Sequence, residues 1–547
     1  MKRFLWLFVI VVLFLICTGC GDTFRPVIIP NPPKFPDPRA SHSIVAISDN
    51  NTDPSQSPPQ SDRGSIMSVD VSGDTVVGVA DVGLAPVHAV QQTASQVLVV
   101  NHSVTGAIGD SLTKVTFFGT QISGTPTTIS LPPNSAPNFV ASTESGTAYV
   151  TLPNYFDPNL KQIVPSVAVV NTSASTVVTL PVQDNPVAVA ETPDTRKLYV
   201  ANQGSGTISN FNTSDRTARN PSPIALSSPP LWITSRSDSQ RVFVLESNGT
   251  LAVLDTTSTA GPDTVIETSI SVPGALSMIY DGHLNRLYIP GGSQLSIVDV
   301  AQSVPQLLKS IPMPQVPGLP PVNAVAVGVA ALPDGSRAYV ASVGTPQPSQ
   351  VSISAVQGDG ATATYTYTLT GGHDLTRGIM VAVSGIDTPA GFDGTFTIKA
   401  VSGSACDQPT QVCTFQTANT TMANQTTVAG LGSSVVDNLF PQVTVINTAG
   451  NTVKTTAGIA GFPDATVVGS PYFVPVCTFT RFRFTMAAGG DSSRVYLASC
   501  DGGNINVVDT ATDTYLLNLP APGSTRAPIP PSNQPPPQNP VFMIAGP

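Results

Sequence analysis

Short apolar runs alternate with turn-forming residues along most of the chain. The clearest copy of this pattern lies in residues 184–213, where β-forming runs begin at Val187, Leu198 and Thr207. Gly, Pro, Asn, Asp and Ser fill the gaps between the runs, and the stretch lacks the 3.6-residue period of a helix. Short β-forming runs separated by such turns are typical of antiparallel hairpins. The pattern therefore predicts an all-β fold.

The same unit recurs, and eight copies can be counted from their second and third strands. The second strands are predicted at Ser43–Ile47, Val97–Val100, Ala148–Thr151, Lys197–Ala201, Arg241–Leu245, Arg286–Ile289, Arg337–Ala341 and Arg494–Ala498. The third strands are predicted to end at residues 70, 118, 171, 211, 255, 299, 447 and 509. A spacing of about 45 to 55 residues with four strands per copy is typical of a propeller blade.

The unit resembles the YVTN-type β-propeller repeat. The resemblance is carried by Leu198-Tyr199-Val200-Ala201-Asn202, by the turn Gly204-Ser205-Gly206-Thr207 and by the strand start Pro186-Val187-Ala188-Val189. Strand ends of the type Val298-Asp299 are also typical of the family. The resemblance covers most of the chain, and it implies a propeller without naming a ligand or a reaction.

A propeller closes only if every blade has an inner strand. Seven inner strands are predicted, at Pro86–Val90, Pro137–Ala141, Pro186–Ala190, Pro230–Thr234, Ala275–Ile279, Asn323–Val327 and Pro471–Val474. The first copy lacks one, whereas the C-terminal residues 540–545 form a strand that no copy follows. The sequence therefore predicts an eight-bladed propeller in which this strand completes the first blade and leaves no exposed edge. Seven blades, the common number in the family, is the alternative.

The N-terminus has the pattern of an export signal. Lys2 and Arg3 precede an apolar run over residues 4–16, which is short for a membrane span. Cys17-Thr18-Gly19-Cys20 then resembles the bacterial lipobox, which implies a signal peptide over residues 1–19 and lipidation of Cys20. An ordinary signal peptide or an uncleaved anchor is the alternative. The Pro-rich residues 20–40 are predicted to be a tether. The expected location is the bacterial cell envelope, at the outer membrane or cell surface.

The propeller is predicted to cover residues 41–345 and 441–547, with residues 346–440 inserted between two strands of the seventh copy. The insert carries β-forming runs of its own. It resembles small β modules of bacterial surface and phage-tail proteins through Leu375, Gly378, Val383-Ser384-Gly385 and Gly394-Thr395-Phe396. Loops on a rigid scaffold commonly carry binding functions. The insert is therefore the first candidate for a partner-binding element, and a passive decoration is the alternative.

Four cysteines remain outside the N-terminal segment. Cys406 and Cys413 lie close together in the insert, and Cys477 and Cys500 lie in the eighth copy. An even number of cysteines in an exported chain favours disulfides. We therefore predict the pairs Cys406–Cys413 and Cys477–Cys500. Neither pair has the spacing of a metal site, and no metal ligand is predicted.

Candidate chemistry is sparse. The formal net charge of −10 argues against nucleic acid as a partner. Gly109-Asp110-Ser111-Leu112 has the letters of a GDSL-hydrolase block, but the Asp-x-x-His which that family needs is missing, so we interpret the match as chance. The five histidines are scattered, and only His88 falls on an inner strand, where it could face the centre. Trp232 is expected to pack in the core. No catalytic residue and no cofactor are predicted.

Two functions remain open. The first is a lipid-anchored binding or scaffold protein, with the membrane as one partner through the anchor and an envelope protein or glycan as the other. The alternative is a channel-centred enzyme, such as a metal-dependent lactonase or a redox propeller. A lactonase would need acidic and amide side chains that converge at the inner strands. The polar residues predicted there are His88, Asn138 and Asn323, and none is a carboxylate.

Overall fold

The computed structural model describes residues 43–50, 63–102, 109–143, 146–259, 261–316, 322–344, 350–371, 375, 380–386, 388–403, 406, 411–435, 440–459, 482–500, 503–520 and 538–547. The predicted signal peptide, Cys20 and the tether lie outside the described residues. The described residues form strands and turns only, and they contain no helix long and apolar enough to cross a membrane.

Eight four-stranded antiparallel sheets are present among the described residues. We number them along the chain, beginning with sheet 1 (Ser43–Asn50, Arg63–Asp70, Thr75–Leu84 and Gln538–Ala545), sheet 2 (Pro86–Thr93, Gln96–Asn101, Ser111–Phe118 and Gln121–Ser130) and sheet 3 (Val140–Ser142, Thr147–Leu152, Ser166–Asn171 and Thr176–Pro181). The middle of the chain forms sheet 4 (Pro186–Glu191, Lys197–Asn202, Thr207–Asn212 and Ile224–Ala225), sheet 5 (Pro230–Ser235, Arg241–Glu246, Thr250–Asp255 and Thr264–Ser271) and sheet 6 (Ile279–Asp281, Arg286–Gly291, Gln294–Asp299 and Gln306–Pro312). The last two are sheet 7 (Val325–Ala331, Arg337–Gly344, Phe440–Asn447 and Thr452–Gly458) and sheet 8 (Phe484–Ala488, Arg494–Ser499, Asn504–Asp509 and Thr514–Pro520). A short hairpin, Phe156–Asp157 with Gln162–Ile163, extends from sheet 3.

The strands of sheets 2 to 8 are hydrogen-bonded in chain order, and sheet 1 is the exception. Its inner strand is the C-terminal strand Gln538–Ala545, which pairs antiparallel with Ser43–Asn50. Ile44 lies opposite Ala545 and Ile47 lies opposite Phe542. This pairing brings the two ends of the described chain together in one sheet.

Neighbouring sheets pack on each other through their first strands. These contacts run in chain order from sheet 2 to sheet 8, and Gln538–Ala545 contacts the first strands of both sheet 2 and sheet 8. The second and third strands supply most of the buried apolar side chains, for example Leu198, Val200 and Ile208. Four-stranded sheets joined in series through their inner strands are the architecture of a β-propeller.

A tyrosine in the second strand links several sheets to the next one. The hydroxyl of Tyr199 donates to Asp263 at 2.8 Å, and that of Tyr496 donates to Asp74 at 2.9 Å. Tyr339 makes the same bond to Asp513 at 2.5 Å. Each acceptor belongs to the turn between the third and fourth strands of the next sheet, so that sheet 8 is linked in this way to sheet 1. We call this contact the Tyr–Asp link.

Each Tyr–Asp link includes a basic residue two positions before the tyrosine. Arg494 Nε lies 3.0 Å from Asp74 Oδ2, and Lys197 Nζ lies 3.2 Å from Asp263 Oδ1. Arg337 pairs with Asp513 in the same way. Residues i and i+2 lie on the same face of a strand, which lets both side chains reach one carboxylate. The sequence pattern Lys/Arg-x-Tyr is thus an inter-sheet contact.

The insert folds as a closed barrel of six strands with its own apolar core. The strands are Gln350–Asp359, Thr362–Gly371, Met380–Val383, Gly394–Ser402, Val412–Ala418 and Met422–Val435. Cys406 and Cys413 form a disulfide with their Cα atoms 5.9 Å apart. The barrel stands between the second and third strands of sheet 7.

Some inner strands differ from the prediction. The first strand of sheet 8 is Phe484–Ala488, whereas the predicted Pro471–Val474 lies outside the described residues. The prediction relied on a preceding proline, but the pairing is set by the short turn that returns the chain to Arg494. In sheet 3 only Val140–Ser142 is a strand, shorter than the predicted Pro137–Ala141. In sheet 6 the strand begins late, at Ile279.

Candidate functional site

An aromatic cluster lies where the inner strands meet. It joins His88 of sheet 2, Phe139 before sheet 3, Trp232 of sheet 5, Phe482 before sheet 8 and Phe542 of the C-terminal strand. The His88 ring stacks on Phe139 with centroids 3.9 Å apart and lies 4.3 Å from Phe542. Trp232 meets Phe139 at 5.2 Å and Phe482 at 5.5 Å, both edge to face. Aromatic pairs at these distances are favourable packing contacts.

His88 is the polar member of this cluster. It is buried, and its Nδ1 accepts a hydrogen bond of 3.4 Å from the backbone N–H of Val140. The sequence prediction that His88 lies on an inner strand is confirmed, as is the packing role expected for Trp232. The imidazole faces aromatic rings, and its contacts in the described structure tie sheet 2 to sheet 3.

The other polar residues predicted near the centre also make hydrogen bonds within the fold. Asn138 Oδ1 accepts from Thr151 Oγ1 at 2.5 Å, and its Nδ2 donates to the Pro186 carbonyl at 3.4 Å. Asn323 Oδ1 accepts from Gln315 at 3.1 Å. Within the described ranges no group of three or more His, Cys, Asp or Glu side chains is arranged to hold a metal ion.

The carboxylates that end the third strands hold turns. Asp70, Asp255 and Asp299 each accept a hydrogen bond from the backbone N–H two residues later, at 2.9, 3.0 and 2.9 Å. Asn171 and Asn447 make the same contact. The repetition of Asp or Asn at this position thus reflects a structural role in the turns.

The residues of the GDSL-like sequence, 109–112, also make structural contacts. Asp110 is buried and accepts from the backbone N–H groups of Ser135 and Ala136 at 2.7 and 3.1 Å. Its other oxygen lies 3.4 Å from His102 Nδ1, a pair that the sequence does not predict. The Ser111 hydroxyl accepts from Asn101 and points into the sheet, away from a nucleophile's position.

A cavity of about 750 Å³ opens between the turns of sheets 3, 4 and 5. Its wall includes Thr147, Tyr149, Glu191, Thr213 and Ser214. These residues come from the second strand of sheet 3, the end of the first strand of sheet 4 and the turn after the third strand of sheet 4. The cavity thus extends from the sheet 3–sheet 4 boundary to the turns of sheet 5, such as 238–240 and 256–259, outside the central aromatic cluster.

Glu191 supplies a buried carboxylate to this wall. Its Oε2 accepts two hydrogen bonds from Thr143, one from the backbone N–H at 3.1 Å and one from Oγ1 at 2.6 Å. Burial raises the pKa of Glu191, and the bonds from Thr143 oppose that rise. Burial beside this carboxylate also raises the pKa of Tyr149. The sequence analysis missed Glu191, although comparison of position 147 with the other copies would have pointed to this boundary.

Two of the three basic residues of the wall are already engaged. Lys197 donates to the carbonyls of Thr256 and Ser258 and to Asp263, so that its three donors are used. Arg219 binds Asp263, Asn212 and two carbonyls. Arg196 is exposed and lies 4.0 Å from Asp194.

Only some of the predicted cysteine sites lie within the described residues. The Cys406–Cys413 disulfide lies in the insert, far from the aromatic cluster in sequence. Cys500 is disulfide-bonded, and its predicted partner Cys477 lies outside the described residues. The same holds for the lipidation site predicted at Cys20.

Comparison with known proteins gives fold similarities only. No protein-family model matches the chain, and no curated protein sequence matches it. Apo AztD from Citrobacter koseri is similar at 10% identity and TM-score 0.49, over 92% of this chain and 97% of that chain. The β-propeller domain of Myceliophteria thermophila Cps50 (Swd1) is 9% identical with a TM-score of 0.34, over 73% and 92% of the two chains. A Dos1 propeller is 10% identical with a TM-score of 0.37, over 50% and 70%.

Proposed function

We propose that this chain is an exported, lipid-anchored β-propeller of the YVTN type that acts as a binding or scaffold protein in the bacterial cell envelope. In this proposal the eight sheets are eight blades, and the C-terminal strand closes the ring. Cys20 carries the lipid, residues 20–40 form the tether, and the insert at 346–440 presents the surface that an envelope protein or glycan contacts. The protein has no catalytic role.

The observation that carries this proposal is the separately packed insert. The barrel has a core of its own, which includes Tyr365, Phe392 and Phe415, and it replaces a short turn of sheet 7. A turn of a few residues would serve the sheet equally well. A folded module of this size, placed on a rigid scaffold, is the usual way in which a binding surface is added.

The hairpin of sheet 3 supports the same assignment. Like the insert, it connects the second and third strands of its sheet, so in a propeller both project from the same face. Phe156, Leu160 and Ile163 are 50, 60 and 59% exposed on this hairpin. Exposed apolar side chains grouped on one projecting element are typical of an interaction surface.

The packing at the centre of the molecule favours the scaffold hypothesis over the hypothesis of a channel-centred enzyme. The aromatic cluster fills the place where a lactonase or a redox propeller would bring its ligands together. Its members are His88, Phe139, Trp232, Phe482 and Phe542. An aromatic cluster of this kind stabilises the junction of several sheets.

The binding role is tested by in-cell cross-linking of the full chain and of a variant with residues 346–440 replaced by a four-residue turn. The full chain is expected to give a defined envelope cross-link that the shortened variant lacks. A second variant, in which only residues 155–164 are replaced by a turn, is expected to weaken this cross-link without abolishing it. An identical cross-linking pattern for the full chain and the shortened variant would contradict the assignment to the insert.

The anchor is tested by metabolic labelling with a palmitate analogue. The full chain is expected to take up the label, Cys20→Ser is expected to lose it, and Cys17→Ser is expected to keep it. Loss of label in both variants, or in neither, would contradict lipidation at Cys20.

A further inference from the structure

A cation from one sheet binds a carbonyl of the next sheet at most of the sheet boundaries. The acceptor is the residue directly after the third strand, and the donor is a Lys or Arg of the preceding sheet. The pairs are Lys114 with Thr172, Lys197 with Thr256, Arg236 with Val300, Arg286 with Thr448 and Arg337 with Thr510. At the boundary of sheets 8 and 1, Arg494 binds Asp74 in the corresponding turn.

Two boundaries lack such a pair in the described structure: that of sheets 1 and 2, where Ser68 donates to the Thr120 carbonyl, and that of sheets 3 and 4. Thr147 stands where sheets 4 to 8 have Lys197, Arg241, Arg286, Arg337 and Arg494 at the start of the second strand. The corresponding carbonyl is that of Thr213, and no Lys or Arg side chain of the described residues bonds to it. The Thr147 side chain is too short to cross the boundary between the two sheets as a Lys side chain would. The cavity lies where that longer side chain would be, and Thr147 lines it.

The negative partner of the cation is still present. Tyr149 occupies the position of the link tyrosines, and Glu191 replaces the aspartate beside it. Glu191 is only 6% exposed; Thr143 donates two hydrogen bonds to its Oε2, and Tyr149 also donates to the carboxylate. Arg216 is close enough for its charge to act on Tyr149, but its side chain is exposed and does not line the cavity.

We propose that this cavity binds a small organic cation, a primary amine or a guanidinium compound, in the place of the missing side chain. The cation donates to Glu191 and to the carbonyl of Thr213. A charged donor is the natural partner of this carboxylate, because it stabilises the ionised form that burial disfavours. The cavity of about 750 Å³ admits a ligand of several carbon atoms.

This inference is independent of the proposed partner surface. The cavity is formed by turns at the opposite strand ends from the insert and the sheet 3 hairpin. A failure of the cross-linking experiment leaves it untouched, and its own failure does not bear on the insert.

Isothermal titration of the full-length protein with 1,4-diaminobutane and with arginine tests the proposal, and 1,4-butanediol serves as the neutral control. At least one of the two cations is expected to bind with a 1:1 stoichiometry, and the diol is not. Glu191→Gln is expected to weaken binding by about tenfold or more, the effect of losing a charged hydrogen bond.

Thr147→Lys is the sharper variant, because it places in the cavity the side chain that sheets 4 to 8 carry. It is expected to abolish cation binding while the melting temperature is kept or raised. Gln96→Lys changes the same strand position in sheet 2 and is expected to leave binding unchanged. The proposal is overturned if neither cation binds, if the diol binds equally well, or if Thr147→Lys binds like the natural chain.

Discussion

At the residue scale, the main device of the fold is a buried carboxylate shared by a tyrosine and a basic side chain of the preceding sheet. Asp74, Asp263 and Asp513 each fill this role. A hydrogen bond to an ionised acceptor in a buried place is stronger than one between neutral groups. Burial and the neighbouring carboxylate raise the pKa values of Tyr199, Tyr339 and Tyr496, so each tyrosine remains a donor.

Two tyrosines at the same strand position allow a matched test of this device. Tyr496 bonds Asp74, whereas the hydroxyl of Tyr288 is buried and has no hydrogen-bond partner in the described structure. Tyr496→Phe is expected to lower the free energy of unfolding by about 1–2 kcal/mol. Tyr288→Phe is expected to be neutral or slightly stabilising, because it removes an unsatisfied group. Urea unfolding measures both, and equal losses would contradict the role given to Asp74.

The Tyr–Asp link of Asp513 is expected to make the free energy of unfolding fall at acid pH. Burial alone would raise the pKa of Asp513, but bonds from Lys454 and Tyr339 and the charge of Arg337 hold it below the usual value. Because the folded pKa is lowered, the stabilisation is complete above the unfolded pKa of about 3.9 and is lost as pH falls through the folded pKa. Asp513→Asn is expected to cost about 2 kcal/mol at pH 7.

The same variant supplies its own pH control. The difference between Asp513→Asn and the natural chain is expected to shrink below pH 4, as the carboxylate of the natural chain becomes protonated. Asp184→Asn changes an exposed carboxylate and should follow the natural chain throughout. A difference that stays constant from pH 7 to pH 2.5 in urea unfolding would show that the charge of Asp513 is not what stabilises the link.

At the element scale, the second and third strands could be predicted from the sequence, whereas several inner strands could not. The second strands carry consecutive buried apolar residues behind a basic residue, as in Arg494–Ser499, and the structure has them at the predicted places. Inner strands are short, and a preceding proline is a weak marker of them. Counting back twelve residues from the link tyrosine, from Tyr199 to Val187, would have placed the sheet 8 strand at Phe484.

The candidate site was less accessible to prediction than the strands. The cavity is lined by the short side chain of Thr147 and by the carboxylate of Glu191. Glu191 ends the first strand of sheet 4, and the other sheets do not repeat an acidic residue at that position. Neither belongs to a motif, and their proximity depends on the packing of two sheets. Only the departure of position 147 from the Lys/Arg pattern was visible in the sequence.

The insert offers a test of its disulfide at the same scale. A Cβ at Gly403 would lie 2.3 Å from Cys413 Sγ and 2.8 Å from Cys406 Sγ, and its φ of +143° is one that side chains rarely adopt. Gly403→Ala is therefore expected to disfavour the disulfide. The bond closes a short loop, and its loss should destabilise the barrel by about 2 kcal/mol. Hydrogen exchange should rise in residues 350–435 and stay unchanged in sheets 2 to 6.

Gly371→Ala is the control for this variant, because a Cβ there meets no atom within 4 Å. Faster exchange in sheets 2 to 6 after Gly403→Ala would contradict an insert that is stabilised separately from the propeller. Unchanged exchange in the barrel would contradict the stabilising role of the disulfide.

At the scale of the whole molecule, the two ends of the described chain meet in sheet 1. Gln538–Ala545 pairs with Ser43–Asn50 and contacts the first strands of sheets 2 and 8. Phe542 on this strand also joins the aromatic cluster. A strand that contacts three sheets is expected to matter more for stability than its length suggests.

Truncation after residue 537 tests this expectation. Removal of the C-terminal strand exposes the edge of Ser43–Asn50 and takes Phe542 from the cluster, so cooperative unfolding is expected to be lost. Removal of residues 546–547 alone deletes only the contacts of Gly546 and Pro547 with Ser43 and should have a small effect. Near-UV circular dichroism during heating distinguishes the two. Cooperative unfolding of the longer truncation at the natural temperature would contradict closure by this strand.

The most direct test of the proposed function is the intact mass of the protein purified from its own membranes, measured by native mass spectrometry. The account predicts a chain that begins at Cys20, carries lipid, holds no metal or cofactor, and is lighter by about four hydrogens for two disulfides. A mass that includes residues 1–19 without lipid would contradict the anchor. A stoichiometric metal or cofactor would contradict the binding role and favour a channel-centred enzyme.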